Sequence, residues 1–161
     1  PKNTKIVAVV QGEDKVKAHL CADLIRGLGY NKLCISYGAD WYGDTPLNKA
    51  LGRINFVKEL LKDKRYKDVK FHLLGCAVPQ EFGWYRNEPQ IESIDTSSPI
   101  MAALEGTVYT KSGLVEKPIA NMNTHFDINP EEIDYNKILK NVKRFRTING
   151  LAYIQNIPGK N

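Results

Sequence analysis

The sequence predicts an α/β fold on a parallel sheet, and three observations carry that expectation. Lys5 to Gln11 is a continuous apolar run, the pattern of a strand buried on both faces. Runs of this kind alternate with helical spacing four times. Each run then stops at a glycine or a polar side chain, where α/β folds place their chemistry. Four such βα units amount to half of an eightfold barrel or to a small doubly wound sheet. The half barrel is the expectation, followed by a small hairpin and a basic C-terminal helix. With 161 residues there is room for one domain with one core: the βα units over 5–105, then hairpin, helix and basic tail over 106–161.

Taken in order, the first strand stops at Gln11-Gly12. Glu13 to Leu28 has helical spacing, with Val16, Leu20, Leu24, Ile25 and Leu28 on one face and Gly29 as the terminating residue. Lys32 to Tyr37 is the second strand, closed by Gly38. Thr45 and Pro46 read as the N-cap and first residue of a helix whose apolar stripe is Leu47, Leu51, Ile54, Val57 and Leu61. Val69 to Leu74 is the third strand, ending at Gly75. Pro79 to Trp84 reads as a short helix, with Glu81 a candidate cap for the turn before it. The fourth strand carries Ile91 and Ile94, ends at Asp95 and is broken by Ser97-Ser98-Pro99. Gly106 to Val115 reads as a hairpin turning at Lys111-Ser112-Gly113. Asn129, Pro130, Glu131 and Glu132 supply an N-cap, a proline at the first position and an acidic first turn. The helix they open carries Ile133, Ile138, Val142 and Phe145.

Composition excludes several classes. The 42% hydrophobic and 25% charged residues are ordinary for a globular protein, and no apolar run reaches membrane-spanning length. Three cysteines, Cys21, Cys34 and Cys76, are odd in number and scattered, so no disulfide framework is expected. Pro1 to Lys5 has no signal-peptide pattern, and the chain reads as intracellular (cytoplasmic) and reduced. No strand is followed by a phosphate-cradling glycine loop, and no cofactor is expected. The net charge is +5, and no acidic side chain follows Asp134, whereas Lys137, Lys140, Lys143, Arg144 and Arg146 do. That segment is either a solvated helix face or a phosphate-binding surface.

Among single residues, Asp95 stands out as a carboxylate at the carboxyl end of a strand; its plain alternative is a turn or helix cap. His19 and His72 read as packing or surface residues, and His125 beside Asp127 lacks a nucleophile to complete a triad. By strand parity Glu92 points away from Asp95's face. Trp41, Tyr42, Trp84 and Tyr85 lie in or after loops at the strand ends, where they either pack or stack on a base.

The order Val9-Val10-Gln11-Gly12, an apolar strand after Gly29-Tyr30 closing on Gly38, His72-Leu73-Leu74-Gly75 with Pro79 beyond, and Ile91 to Asp95 resembles the tRNA-guanine transglycosylase family and its relatives that place deazapurines in DNA. Pro99, Gly106, Tyr109-Thr110 and Gly113 continue the spacing, so the resemblance spans roughly Lys5 to Arg146 and covers the C-terminal half of that family's barrel. It implies that Asp95 is the nucleophile. It places Gln11 and Gly12 at the purine edge, Cys34 and Ile35 where backbone groups contact the base, and Leu74 and Gly75 where the base is covered. The implied reaction replaces guanine in tRNA or DNA by a 7-deazaguanine base through a covalent intermediate, with Lys137, Lys140, Lys143, Arg144 and Arg146 as candidate nucleic-acid contacts.

The sequence departs from the family where a Cys-rich zinc site is usual: no cysteine follows Cys76, so no metal of that kind is expected. Met101 stands where the family has arginine, and Ala39, beside Asp40, where it has glutamate. The second catalytic carboxylate belongs to the barrel half not represented, so the resemblance implies that a second copy, another protein or a further N-terminal part of the same polypeptide supplies it. The DNA branch is slightly preferred over the tRNA branch. The other readings are a non-catalytic purine- or nucleic-acid-binding companion and a doubly wound nucleotide- or sugar-binding protein.

Overall fold

The computed structural model describes residues 6–43, 49–76, 78–115 and 127–150. Four strands, β1 (Ala8–Val10), β2 (Lys32–Ser36), β3 (Lys70–Leu74) and β4 (Ile91–Asp95), form one sheet. They lie in the order β1-β2-β3-β4 and are parallel throughout. That is the sequential order a half barrel requires; a doubly wound sheet reverses direction. Right-handed crossovers in sequential order put every connecting helix on one face. That face carries Val10, Leu33, Ile35, Phe71 and Leu73, all buried in a single core.

Helix α1 (Lys15–Gly27) joins β1 to β2, capped by Asp14, whose carboxylate accepts from the Lys17 N–H at 2.7 Å. Of the face that periodicity marks, Ile25 alone seats on the core. Val16, Leu20, Leu24 and Leu28 are 77, 56, 62 and 78% exposed, while Ala18 and Ala22 are buried on the core and Cys21 and Ile25 pack beside them. Small residues win because the helix sits very close to the preceding loop. A Cβ at Gly12 would stand 2.4 Å from the Ala18 nitrogen, so only glycine fits there.

Helix α2 (Ala50–Lys62) joins β2 to β3 and buries Ile54, Phe56, Val57 and Leu60. The expected cap Thr45, with Pro46 and Leu47, lies outside the described residues. Between β3 and β4 runs a 3₁₀ segment, Pro79–Tyr85, as the sequence suggests. After β4 come α3 (Ser98–Leu104) and α4 (Tyr135–Ile148), which pack against each other.

Two expectations beyond β4 need correction. The predicted hairpin over Gly106 to Val115 contains no strand. It is one tight turn in which Thr110 and Gly113 exchange backbone hydrogen bonds at 3.1 and 3.4 Å, with Gly113 in the left-handed region at φ 110. Asn129 does not cap the basic helix: its carboxamide accepts from the Glu131 N–H and closes a separate 3₁₀ turn, Pro130–Glu132. Helix α4 has its own cap, Asp134, bonded to the Lys137 N–H at 3.0 Å.

Asn141 ties α4 down. Its side chain donates to the Pro99 and Thr107 carbonyls at 3.2 and 2.9 Å and accepts from the Tyr109 N–H at 2.8 Å. A buried amide with donors and acceptor all paired specifies one docking of the helix. His125 lies outside the described residues. No described helix is long and apolar enough to cross a membrane.

Candidate functional site

The face of the sheet opposite the helices is organised around Asp95. Strand alternation sends Val9, Cys34, His72, Leu74, Ser93 and Asp95 to this side, in register across four strands: Val9 beside Cys34, Cys34 beside His72, His72 beside Ser93, Leu74 beside Asp95. Val9 is 39% exposed and the Asp95 side chain 61%. Such exposure at the mid-strand and strand end leaves room for a ligand or a second layer.

Among the described residues, Asp95 is held on one side only. Its Oδ1 accepts from the Gly75 N–H at 3.1 Å and lies 3.6 Å from His72 Nε2. Gly75 follows β3 in the left-handed region at φ 67, a conformation that favours glycine, and its N–H meets the neighbouring strand at Asp95. His72 is itself fixed: Nδ1 is 2.8 Å from Ser93 Oγ.

The strand ends are held from beneath by a buried ion pair. Arg53 of α2 meets Glu81 in a fork, Nε to Oε1 at 2.6 Å and Nη2 to Oε2 at 2.9 Å, with both side chains fully buried. The same guanidinium donates to the Leu74 and Gly75 carbonyls at 2.6 and 2.9 Å, and to the Ile35 carbonyl at 3.4 Å. Burial works against its charge, but hydrogen bonds and attraction from Glu81 outweigh that and raise its pKa. Arg53 therefore fixes the peptides around Gly75, and Gly75 fixes Asp95. Glu81 does more than cap a turn.

Glu92 corrects a parity argument. A register shift at Phe71/His72 inserts an extra residue into β4, and Glu92 forms an ion pair with Lys32 of β2. To reach Lys32 it crosses β3 on the face that bears His72, so it does not point away from Asp95's side. A bulge breaks the strict alternation on which parity rests.

The other expected base-binding residues divide. Leu74 and Cys34 share Asp95's face, and Gly75 touches Asp95 directly. The Cys34 thiol is buried; burial foremost, with the charge of Asp95 adding and Lys32 opposing, raises its pKa and keeps it protonated. The Ile35 side chain points to the helix side, deep in the core. Gln11 and Gly12 line a separate cavity of about 300 Å³ at the ends of β1 and β2, walled by Ser36, Tyr37, Trp41 and Phe56. Phe56 and Ala18 place it on the helix side of the sheet. Gln11 is exposed, and the Gly12 carbonyl accepts from Trp41 Nε1 at 3.0 Å. Trp41 makes edge contacts with Tyr42 and Phe56, and Tyr85 is buried, so these three pack. Trp84 is exposed, with the Lys58 ammonium 5.3 Å above its ring.

On α4, Lys140, Lys143 and Arg144 line one shallow outward depression with Asn136, Leu139 and Thr147. Lys137 and Arg146, both partly buried, lie outside it.

Sequence reading missed Arg53 and the His72–Ser93 contact, though signals existed. Arg53 sits in the stripe with Ala50, Ile54 and Val57, and a cation on a core-facing stripe demands a buried carboxylate. His72 alternates with Phe71 and Leu73, which sends it to the opposite face with Leu74. The fold and site thus define an α/β chain with a half-anchored carboxylate at the carboxyl end of its fourth described strand. Set against known proteins, the chain matches no family model, no curated protein and no solved structure.

Proposed function

We propose that this chain is the nucleophile-bearing half of a base-exchange transglycosylase that replaces guanine in nucleic acid by a 7-deazaguanine base. The observation that carries the reading is Asp95: one oxygen anchored by Gly75, the carboxylate exposed at the carboxyl end of a parallel strand. In the proposed reaction Asp95 attacks C1′ and the C1′–N9 bond breaks. Guanine leaves with the bonding pair and takes up a proton, and an ester joins the ribose or deoxyribose to the enzyme. The incoming base attacks the same carbon, expels the carboxylate and gives up its proton, so configuration is retained overall. The Lys140, Lys143 and Arg144 surface would bind phosphates, and the target base would leave its stack to reach Asp95.

The other barrel half, from a second copy, a separate chain or a further part of the same polypeptide, would cover the exposed sheet face and supply the acid for the leaving base. Labelled-guanine exchange into tRNA and into duplex DNA tests the reading. Incorporation should occur in one of them and fall to background in Asp95→Ala. Incorporation that survives Asp95→Ala would overturn it.

One observation favours a second reading, a non-catalytic companion that binds purine or nucleic acid. Glu92, the other carboxylate of β4, is engaged by Lys32, so this strand offers no obvious acid. Guanine binding that persists in Asp95→Ala, with no exchange even when partner chains are added, would support that alternative.

A further inference from the structure

We propose that His72, oriented by Ser93, is a positioning residue that holds Asp95 so that its Oδ2 is the attacking oxygen. The inference rests on the transglycosylase reading and adds a role that the resemblance does not assign.

The geometry runs across two strands. A bulge brings Ser93 rather than Glu92 opposite His72, and Ser93 Oγ lies 2.8 Å from Nδ1. On the other side of the ring, Nε2 lies 3.6 Å from Asp95 Oδ1, the oxygen that already accepts from Gly75. A carboxylate only accepts, so a neutral ring facing it carries its proton on Nε2. Nδ1 then accepts from the Ser93 hydroxyl. Both groups that hold Asp95 converge on Oδ1, which leaves Oδ2 unencumbered among the described residues. A small approach of the ring on substrate binding turns the contact into a hydrogen bond, as active-site contacts commonly tighten.

His72 does not fit the role of acid for the leaving base. In a displacement at C1′ the leaving base departs on the side opposite the nucleophile, and a ring beside Asp95 Oδ1 is on the nucleophile's side. Nor does it activate Cys34, whose buried thiol is kept protonated. Lys32, the nearest cation registered on β2, is taken by Glu92. His72 therefore acts through Asp95.

Exchange kinetics and nitrogen NMR of the full chain, with whatever partner half supports activity, test this together. His72→Ala should lower kcat on the order of 10²-fold with KM little changed, the scale expected when a reacting group is misplaced by about an ångström. His72→Gln, which keeps an N–H donor at similar reach, should recover part of that loss. In the folded wild type at alkaline pH, His72 nitrogen shifts should report the Nε2–H tautomer, and Ser93→Ala should give a mixture. An active wild type matched in kcat by both His72 variants would overturn the inference, as would a His72 ring carrying its proton on Nδ1. Failure of the transglycosylase reading looks different: wild type and every variant would be equally inactive with all partners, while the tautomer still reports whether the relay exists.

Discussion

Arg53 and Glu81 show how a charge deep in the core serves a carboxylate at the surface. The guanidinium needs Glu81 to offset its desolvation, and it uses its remaining donors on the carbonyls that set the direction of Gly75. Removing one partner leaves an uncompensated buried charge, which costs far more than the net worth of the pair. Glu81→Gln should therefore destabilise the fold by about 3–5 kcal/mol, read as a shift of the urea midpoint with unchanged slope. A shift under a quarter of that would mean the pair is not buried in solution. Arg53 is legible in the sequence only in retrospect: its phase with Ile54 and Val57 marks it as core, but nothing local says that Glu81, 28 positions on, is its partner. Asp95 was legible because a strand end needs only nearby residues to recognise. The side on which Glu92 lies is not legible, because a bulge is set by the neighbouring strand, which alternation within one strand cannot reveal.

At the scale of elements, α1 and α4 are both amphipathic, and their exposed faces differ in chemistry. The periodicity of α1 correctly announces a helix and misdirects its orientation, because a leucine stripe outranks an alanine stripe on hydrophobicity alone. The close approach at Gly12 decides for the small residues. Helix α4 is legible as a basic helix but not in its start, which lies at Asp134 rather than Asn129; Asn141 and Phe145 anchor one side and leave Lys140, Lys143 and Arg144 outward. In the proposed function, three cations on one face would give a modest, salt-dependent affinity for phosphate backbones. Replacing all three by Gln should weaken binding to duplex DNA or tRNA and reduce the salt slope by roughly 2–3. The slope is read from fluorescence anisotropy across a salt series, with the melting temperature nearly unchanged. An unaltered slope would remove α4 from the interface.

The whole molecule has apolar surface on elements that a closed barrel would cover. Val9 is partly open on the sheet face away from the helices, β1 and β4 end the sheet, and Val16, Leu20 and Leu24 of α1, with Leu28 at its C-cap, are all exposed. Scattered apolar residues on a surface mean little, but four large ones along one helix and its cap, beside an edge strand, form a patch. An edge strand with unpaired backbone groups is a liability until something pairs with it. In the proposed half barrel both are met by one event: another half pairs its strands with β1 and β4 and lays a helix along the α1 stripe. Leu20→Lys with Leu24→Lys should then leave helix content and melting temperature nearly unchanged, because neither residue contributes to this chain's own core. The same change should abolish assembly seen by light scattering at micromolar concentration, with itself or with the partner half, and base exchange should fall with it. A double variant that unfolds would place the stripe inside the core. A wild type that stays monomeric and still exchanges base would show that the four-stranded sheet needs no second half.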